Sequence, residues 1–172
     1  MQSLIPLAEK VGKLLEARRE KIAIAESAAG GLINAAMLAV PGASGWCLGG
    51  VVLYTRQSRL ALKDMQAAMF EGMTGSTETY ALFVARAVRE RFDAQWCLCE
   101  TGTAGPTGSR YGYAAGRACF AVTGPAERTL TIETGKSDRV ANMYAFAEAG
   151  NRSTTLRKIT MDSAVFCPRS SR

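Results

Sequence analysis

The chain has 172 residues, 48% of them apolar and 21% charged, with a net charge of +6 and no histidine. Such a length and balance suit one globular domain with a substantial core. The missing histidine excludes every Ser-His or Cys-His relay and every His-ligated metal site. No apolar run reaches the ~18 residues of a spanning helix, so no membrane partner is expected.

Leu4, Leu7, Ala8, Val11, Leu14 and Leu15 recur at helical spacing and predict a helix over residues 4–19. This start lacks the charged-then-apolar layout of a signal peptide, so a cytoplasmic location is expected. Ile22 to Ala25 read as an apolar strand ending at Glu26-Ser27, and Gly30-Gly31 opens a helix over 30–40 through Leu32, Ile33, Ala36, Met37 and Val40. Pro41-Gly42 stops that helix. Gly49-Gly50 precedes a predicted strand from Val51 to Thr55, followed by a short helix over 57–63. A long helix over 77–92 places Tyr80, Val84, Ala87, Val88 and Arg91 near one face. Trp96 to Cys99 read as the next strand, ending at Glu100-Thr101-Gly102, and residues 102–116 read as a glycine-rich loop. Arg117 to Val122 and Arg128 to Glu133 form a hairpin around Gly124-Pro125. Ser137-Asp138 caps a last helix, with Val140, Met143, Tyr144 and Ala147 inward. Strands alternating with helices, plus a late hairpin, predict a three-layer α/β/α domain on a mixed sheet of about five strands over residues 1–150.

Residues 151–172 hold five basic residues against Asp162 and supply four of the six net positive charges. This is a basic C-terminal tail. It reads as a solvated one, and neither a stacking platform nor a zinc knuckle points to nucleic acid. The cysteines, Cys47, Cys97, Cys99, Cys119 and Cys167, are odd in number and form no CxxC. Cys97 and Cys99 share a strand face, and all five read as buried thiols of a reducing cytoplasm, with no metal and no cofactor expected. Trp46, in a Pro/Gly-rich connection, reads either as a cap on the core or as the exposed anchor of a homo-oligomer, which is the expected state.

Ser27, Tyr54, Arg59 and Thr101 each lie at or just beyond the end of a predicted strand. Loops at the carboxyl ends of parallel strands converge on one crevice, so these four residues are predicted to line one pocket. Singly, Ser27 also reads as a helix cap, Tyr54 as a half-buried strand aromatic, and Gly102 to Gly108 as a surface loop. A GxxxxGKS phosphate loop is missing, which argues against a nucleoside triphosphatase. A serine nucleophile here needs lysine, tyrosine or a carboxylate as its base.

The ordered motifs AESAAGG, VPGASG and GGVVLYT, with TGTAGPTG and Asp138-Arg139 later, resemble the CinA carboxy-terminal domain family, the nicotinamide-nucleotide amidohydrolases. The resemblance runs from about residue 5 to 150. It implies hydrolysis of the carboxamide of nicotinamide mononucleotide, a small-molecule nucleotide substrate, to nicotinic acid mononucleotide and ammonia. It places Ser27 at the nucleophile, Tyr54 at the tyrosine beside it, and Arg139 at the arginine that helps bind the nucleotide. Gly30, Gly31, Thr101, Gly102 and Gly105 fall in its substrate-binding segments, and the N–H groups of residues 28–31 are expected to serve as oxyanion donors. The chain departs from the family pattern in three places. Ala28-Ala29 replace Cys-Thr, Arg59 replaces a lysine, and Tyr113-Ala114-Ala115-Gly116 replace Lys-Pro-Val-Gly. Arginine stays protonated and takes no proton from a serine. Tyr54, as a phenolate favoured by the Arg59 charge, is the alternative base. Three readings follow: an amidohydrolase with altered chemistry, a degenerate nucleotide-binding or regulatory homologue, or an unrelated activity on the same fold.

Overall fold

The computed structural model describes residues 1–62 and 65–152. Of the basic tail, Asn151 closes the last helix and Arg152 caps it, while residues 153–172, Cys167 among them, lie outside the described residues. Helix α1 (Ile5–Arg18) leads to β1 (Ile22–Glu26) and α2 (Leu32–Leu38). A 3-10 turn at Ala43–Gly45 enters β2 (Cys47–Val52), followed by α3 (Arg56–Leu60), a second such turn at Ala67–Phe70, and α4 (Glu78–Arg91). Then come β3 (Trp96–Thr103), β4 (Arg117–Thr123), β5 (Arg128–Glu133) and α5 (Arg139–Asn151). The strands form one mixed sheet in the order β2-β1-β3-β4-β5. Strand β1 runs parallel to both β2 and β3, and β4 and β5 return antiparallel.

The alternation of side chains along each strand sorts the core into two layers. Ile22, Ile24, Trp96, Leu98, Phe120 and Val122 face the helices α1, α2 and α5. Ala23, Ala25, Cys97, Cys99 and Ala121 face α4, which covers them with Tyr80, Ala81, Val84, Ala85 and Val88. This is the three-layer α/β arrangement expected. Cys47, Cys97, Cys99 and Cys119 are buried free thiols, and burial pushes all four up from their ordinary titration range. Among the described residues, no helix is long and apolar enough to cross a membrane.

Four expectations need correction. Gly49-Gly50 lies inside β2 rather than before it. The register of β1 against β2 slips by one residue between Ile22 and Ile24, and Gly49, at φ +85°, absorbs the extra residue as a bulge. Strand β3 runs on to Thr103, because Gly102 and Thr103 pair with Ala118 and Arg117. On α5, Val140 is 60% and Tyr144 41% exposed. Ala147 is buried and Met143 packs against the core as expected, while the rest of the inward stripe is Asn142, Phe146 and Gly150. Asn142 is affordable there because it donates to the carbonyls of Ala104 and Lys136 and accepts from the Thr134 hydroxyl. Finally, Trp46 is 1% exposed and packed on Gly12 of α1. The tryptophan caps the core and is not an exposed anchor for an oligomer.

Candidate active site

The carboxyl ends of the parallel strands meet the 104–111 loop and α3 around a cavity of about 530 Å³. Ser27, Tyr54, Arg59, Thr101, Gly102, Gly105 and Arg139 all line it. Gly30 and Gly31 do not. They build the turn from β1 into α2, both with positive φ.

That turn is held from below by two buried glutamates. Glu26, the last residue of β1, accepts four hydrogen bonds. Gly31 N–H (2.9 Å) and Ile33 N–H (3.0 Å) reach its Oε2, and Asn34 N–H (2.7 Å) and the Asn34 side-chain amide (2.9 Å) reach its Oε1. Glu100, on β3, accepts Ser27 N–H (3.0 Å) and Ala29 N–H (2.9 Å) at Oε2. The Gly30 N–H donates to the Ser27 carbonyl (3.1 Å). In this arrangement the N–H groups of Ala29, Gly30 and Gly31, expected as oxyanion donors, are occupied by the protein itself. Burial raises both carboxyls, and Glu100 reaches about 7 despite the N–H groups of Ala29, Ser27 and Ala28, which oppose the rise.

On the other face of β3, Thr101 is buried and its Oγ1 accepts the Ser76 N–H (3.2 Å). A hydroxyl has one hydrogen to donate, and that hydrogen remains for a ligand. Arg139, the first residue of α5, is aimed by the cap its neighbour makes: the Asp138 carboxylate accepts the Ala141 N–H (2.9 Å). The guanidinium donates to the Gly105 carbonyl (2.6 Å) and the Tyr54 hydroxyl (2.7 Å), and stands 5.9 Å from the Tyr54 ring centre. Tyr54 itself is 59% exposed, beyond the end of β2.

Arg59 is placed differently from the expectation that it would charge Tyr54. It donates to the Tyr80 hydroxyl (3.1 Å) and stacks over the rings of Phe70 (5.1 Å) and Tyr80 (5.4 Å). The cation beside Tyr54 is Arg139. Burial pushes the Tyr80 hydroxyl up to about 12, outweighing Arg59, so it stays protonated at neutral pH.

Gly102 is required by packing: a Cβ there would lie 2.8 Å from the Arg117 carbonyl oxygen and 3.0 Å from Glu100 Oε1. Sequence reasoning missed the supporting glutamates, Tyr80 and Ser76. The available signal was an acid at the last inward position of two apolar strands. Among the described residues, no group of three or more His, Cys, Asp or Glu is placed to hold a metal ion.

Comparison with known proteins agrees with this architecture. The family model of the CinA C-terminal domain matches residues 4–156. A CinA-like protein of Chlorobaculum tepidum is 32% identical over 165 residues, 93% of this chain and 39% of that protein. A CinA-like protein of Mycolicibacterium paratuberculosis is 34% identical over 159 residues, 89% of this chain and 36% of that protein. The chain therefore spans under half the length of these curated relatives. A solved CinA-superfamily protein of Escherichia coli superposes with a TM-score of 0.82 at 22% identity, covering 90% of this chain and 89% of that one. A competence or damage-inducible protein of Enterobacter asburiae gives 0.82 at 22% identity, covering 91% and 98%. The match across most of the chain, with the fold in common, establishes that this chain belongs to the CinA C-terminal domain family.

Proposed function

We propose that the cavity binds nicotinamide mononucleotide and that Ser27 attacks its carboxamide, giving nicotinic acid mononucleotide and ammonia. The observation that carries this reading is the lining: Arg56, Arg59, Arg110 and Arg139 surround a serine, with no carboxylate among the described lining residues. A phosphate is matched by a planar guanidinium, which can grip it through two N–H groups at once. The exposed faces of Tyr54 and Tyr111 suit a flat pyridine ring.

In this mechanism Ser27 Oγ bonds to the carboxamide carbon and its proton passes through the Tyr54 hydroxyl, which relays a proton to the carboxamide nitrogen. The Thr101 hydroxyl donates to the carboxamide oxygen as negative charge builds there. The carbon–nitrogen bond then breaks, and the nitrogen leaves as ammonia with the relayed proton. Water hydrolyses the resulting ester and restores Ser27.

A second reading, a nucleotide-binding homologue that turns over weakly, is favoured by two observations. The N–H groups near Ser27 are spent on glutamates, and a guanidinium stands at the lysine position, held between two rings. Calorimetry with nicotinamide mononucleotide, run beside an ammonia-release assay on the same protein, separates the readings. Binding with turnover is the expected result. Binding without turnover selects the homologue, and no binding overturns both.

A further inference from the structure

We propose that Glu100 is a positioning residue for Ser27, its gain or loss of a proton slackening or tightening the turn that carries the serine. The inference rests on reading Ser27 as the reactive residue of the cavity.

Strands β1 and β3 pair in parallel with Ala25 opposite Cys99, so the next step puts Glu26 beside Glu100 on the face covered by α2 and α5. Both side chains are buried. Two buried carboxylates that repel one another do not both ionise readily, and the one with more hydrogen-bond donors keeps the charge. Hydrogen bonding decides which that is. Glu26 has donors on both oxygens, four in all. Glu100 has donors on Oε2 alone, and its buried Oε1 finds no partner among the described residues. Glu26 therefore holds the charge, and Glu100 is the member that exchanges a proton, pushed to about 7 by its burial.

The groups facing Glu100 define what else acts on it. Glu26 comes from β1, and on β3 itself the neighbouring Cys99 thiol interacts with Glu100. Strand β4 offers the neutral Phe120 opposite. The turn offers backbone N–H groups. Helix α2 offers Asn34 to the neighbouring Glu26. From α5, Met143 packs on Gly30, and Arg139 stands in the cavity wall. When Glu100 is ionised, its two bonds to Ser27 and Ala29 are charge-assisted, roughly twice as strong as neutral ones. When it is protonated they weaken. Glu100 does not line the cavity, so it acts through the serine's backbone rather than on the ligand.

The test follows the backbone amides of Ser27 and Ala29 by NMR from pH 5.5 to 9. Both resonances should titrate together near neutrality in the unmodified protein and stay flat in Glu100→Gln. Direct carbon observation of the glutamate carboxyls in the unmodified protein should find one titrating at the same midpoint, and this needs no variant to fold. Ammonia release from nicotinamide mononucleotide should rise about tenfold in kcat between pH 6 and pH 8, the ratio of ionised fractions for a group titrating near 7. That rise should vanish in Glu100→Gln, with KM unchanged. Amides that stay flat in the unmodified protein, or that still titrate in Glu100→Gln, overturn the proposal. Amides that titrate as expected while no ammonia appears at any pH leave Glu100 in place and remove the hydrolase reading instead.

Discussion

Arg59 and Arg139 are both cations of the cavity wall, and they are held in different ways. Arg59 lies over Phe70 and Tyr80 at 5.1 and 5.4 Å, a setting that suits a planar, delocalised cation, and a guanidinium takes no proton from a serine. If the serine lacks an adequate base for that reason, Arg59→Lys should raise ammonia release, because an ammonium can have its titration lowered towards working pH. A gain of about tenfold corresponds to ~1.4 kcal/mol off the barrier. A fall on the same substitution would instead assign Arg59 to orienting the substrate. Arg139 has one hydrogen bond to the Gly105 carbonyl and one to Tyr54, so it joins the glycine loop to the tyrosine across the cavity. Arg139→Ala should weaken nicotinic acid mononucleotide binding about ten- to a hundredfold, the usual range for losing hydrogen bonds to a charged group. Its thermal unfolding should change little, since the side chain is on the surface. Calorimetry giving an unchanged affinity would remove Arg139 from the ligand's contacts.

At the scale of elements, β2 carries the consequence of its two glycines. Gly49 supplies a positive φ at the bulge and has nothing near where a Cβ would point, whereas a Cβ on Gly50 would overlap the Ile24 carbonyl oxygen and crowd the Asn34 amide at 2.8 Å. Gly49→Ala should therefore cost about 1 kcal/mol, the backbone penalty alone. Gly50→Ala should cost more than about 3 kcal/mol by breaking the β1–β2 pairing and the Asn34–Glu26 bond. Urea midpoints of the two variants check the order, and equal losses would refute it. The same strand shows where sequence reading fails. Apolar runs announced β1, β3 and β4, and 3.6-residue spacing announced α1 and α4, because in those segments the local pattern and the burial agree. In β2 the glycine pair has the local signature of a breaker, while its role is close approach to β1. On α5 a buried asparagine, satisfied by residues from other segments, hid the true inward face. Ser27, Tyr54, Arg59 and Thr101 were legible as a group because strand ends mark them, and Arg139 was legible only through the resemblance of Asp138-Arg139 to a family motif. Glu100 was not legible as the support of Ser27, since the two are 73 positions apart and only the parallel register joins them.

For the whole molecule, the buried glutamates set how stability varies with pH. A carboxyl whose folded value is raised stabilises the fold fully below its unfolded value, and that contribution is lost as pH rises through the folded value. For Glu100 the window runs from 4.5 to about 7, and at 1.36 kcal/mol per unit the loss is on the order of 3 kcal/mol. Glu26 is raised too and acts in the same direction. Glu78 and Glu127 are lowered by their hydrogen-bond partners and act oppositely, but their contribution falls away only at pH below the ordinary carboxylate value. Burial raises the four described thiols, so they stay protonated throughout. The net expectation is a protein more stable to urea at pH 5.5 than at pH 8. Glu100→Gln removes the ionisation while keeping an oxygen to accept from Ser27 and Ala29, so it should flatten that profile and be the more stable protein at pH 8. An unmodified protein that gains stability from pH 5.5 to pH 8, with Glu100→Gln following the same curve, would mean that the charge on Glu100 is compensated in the folded state and that the pair with Glu26 does not govern the fold's response to pH.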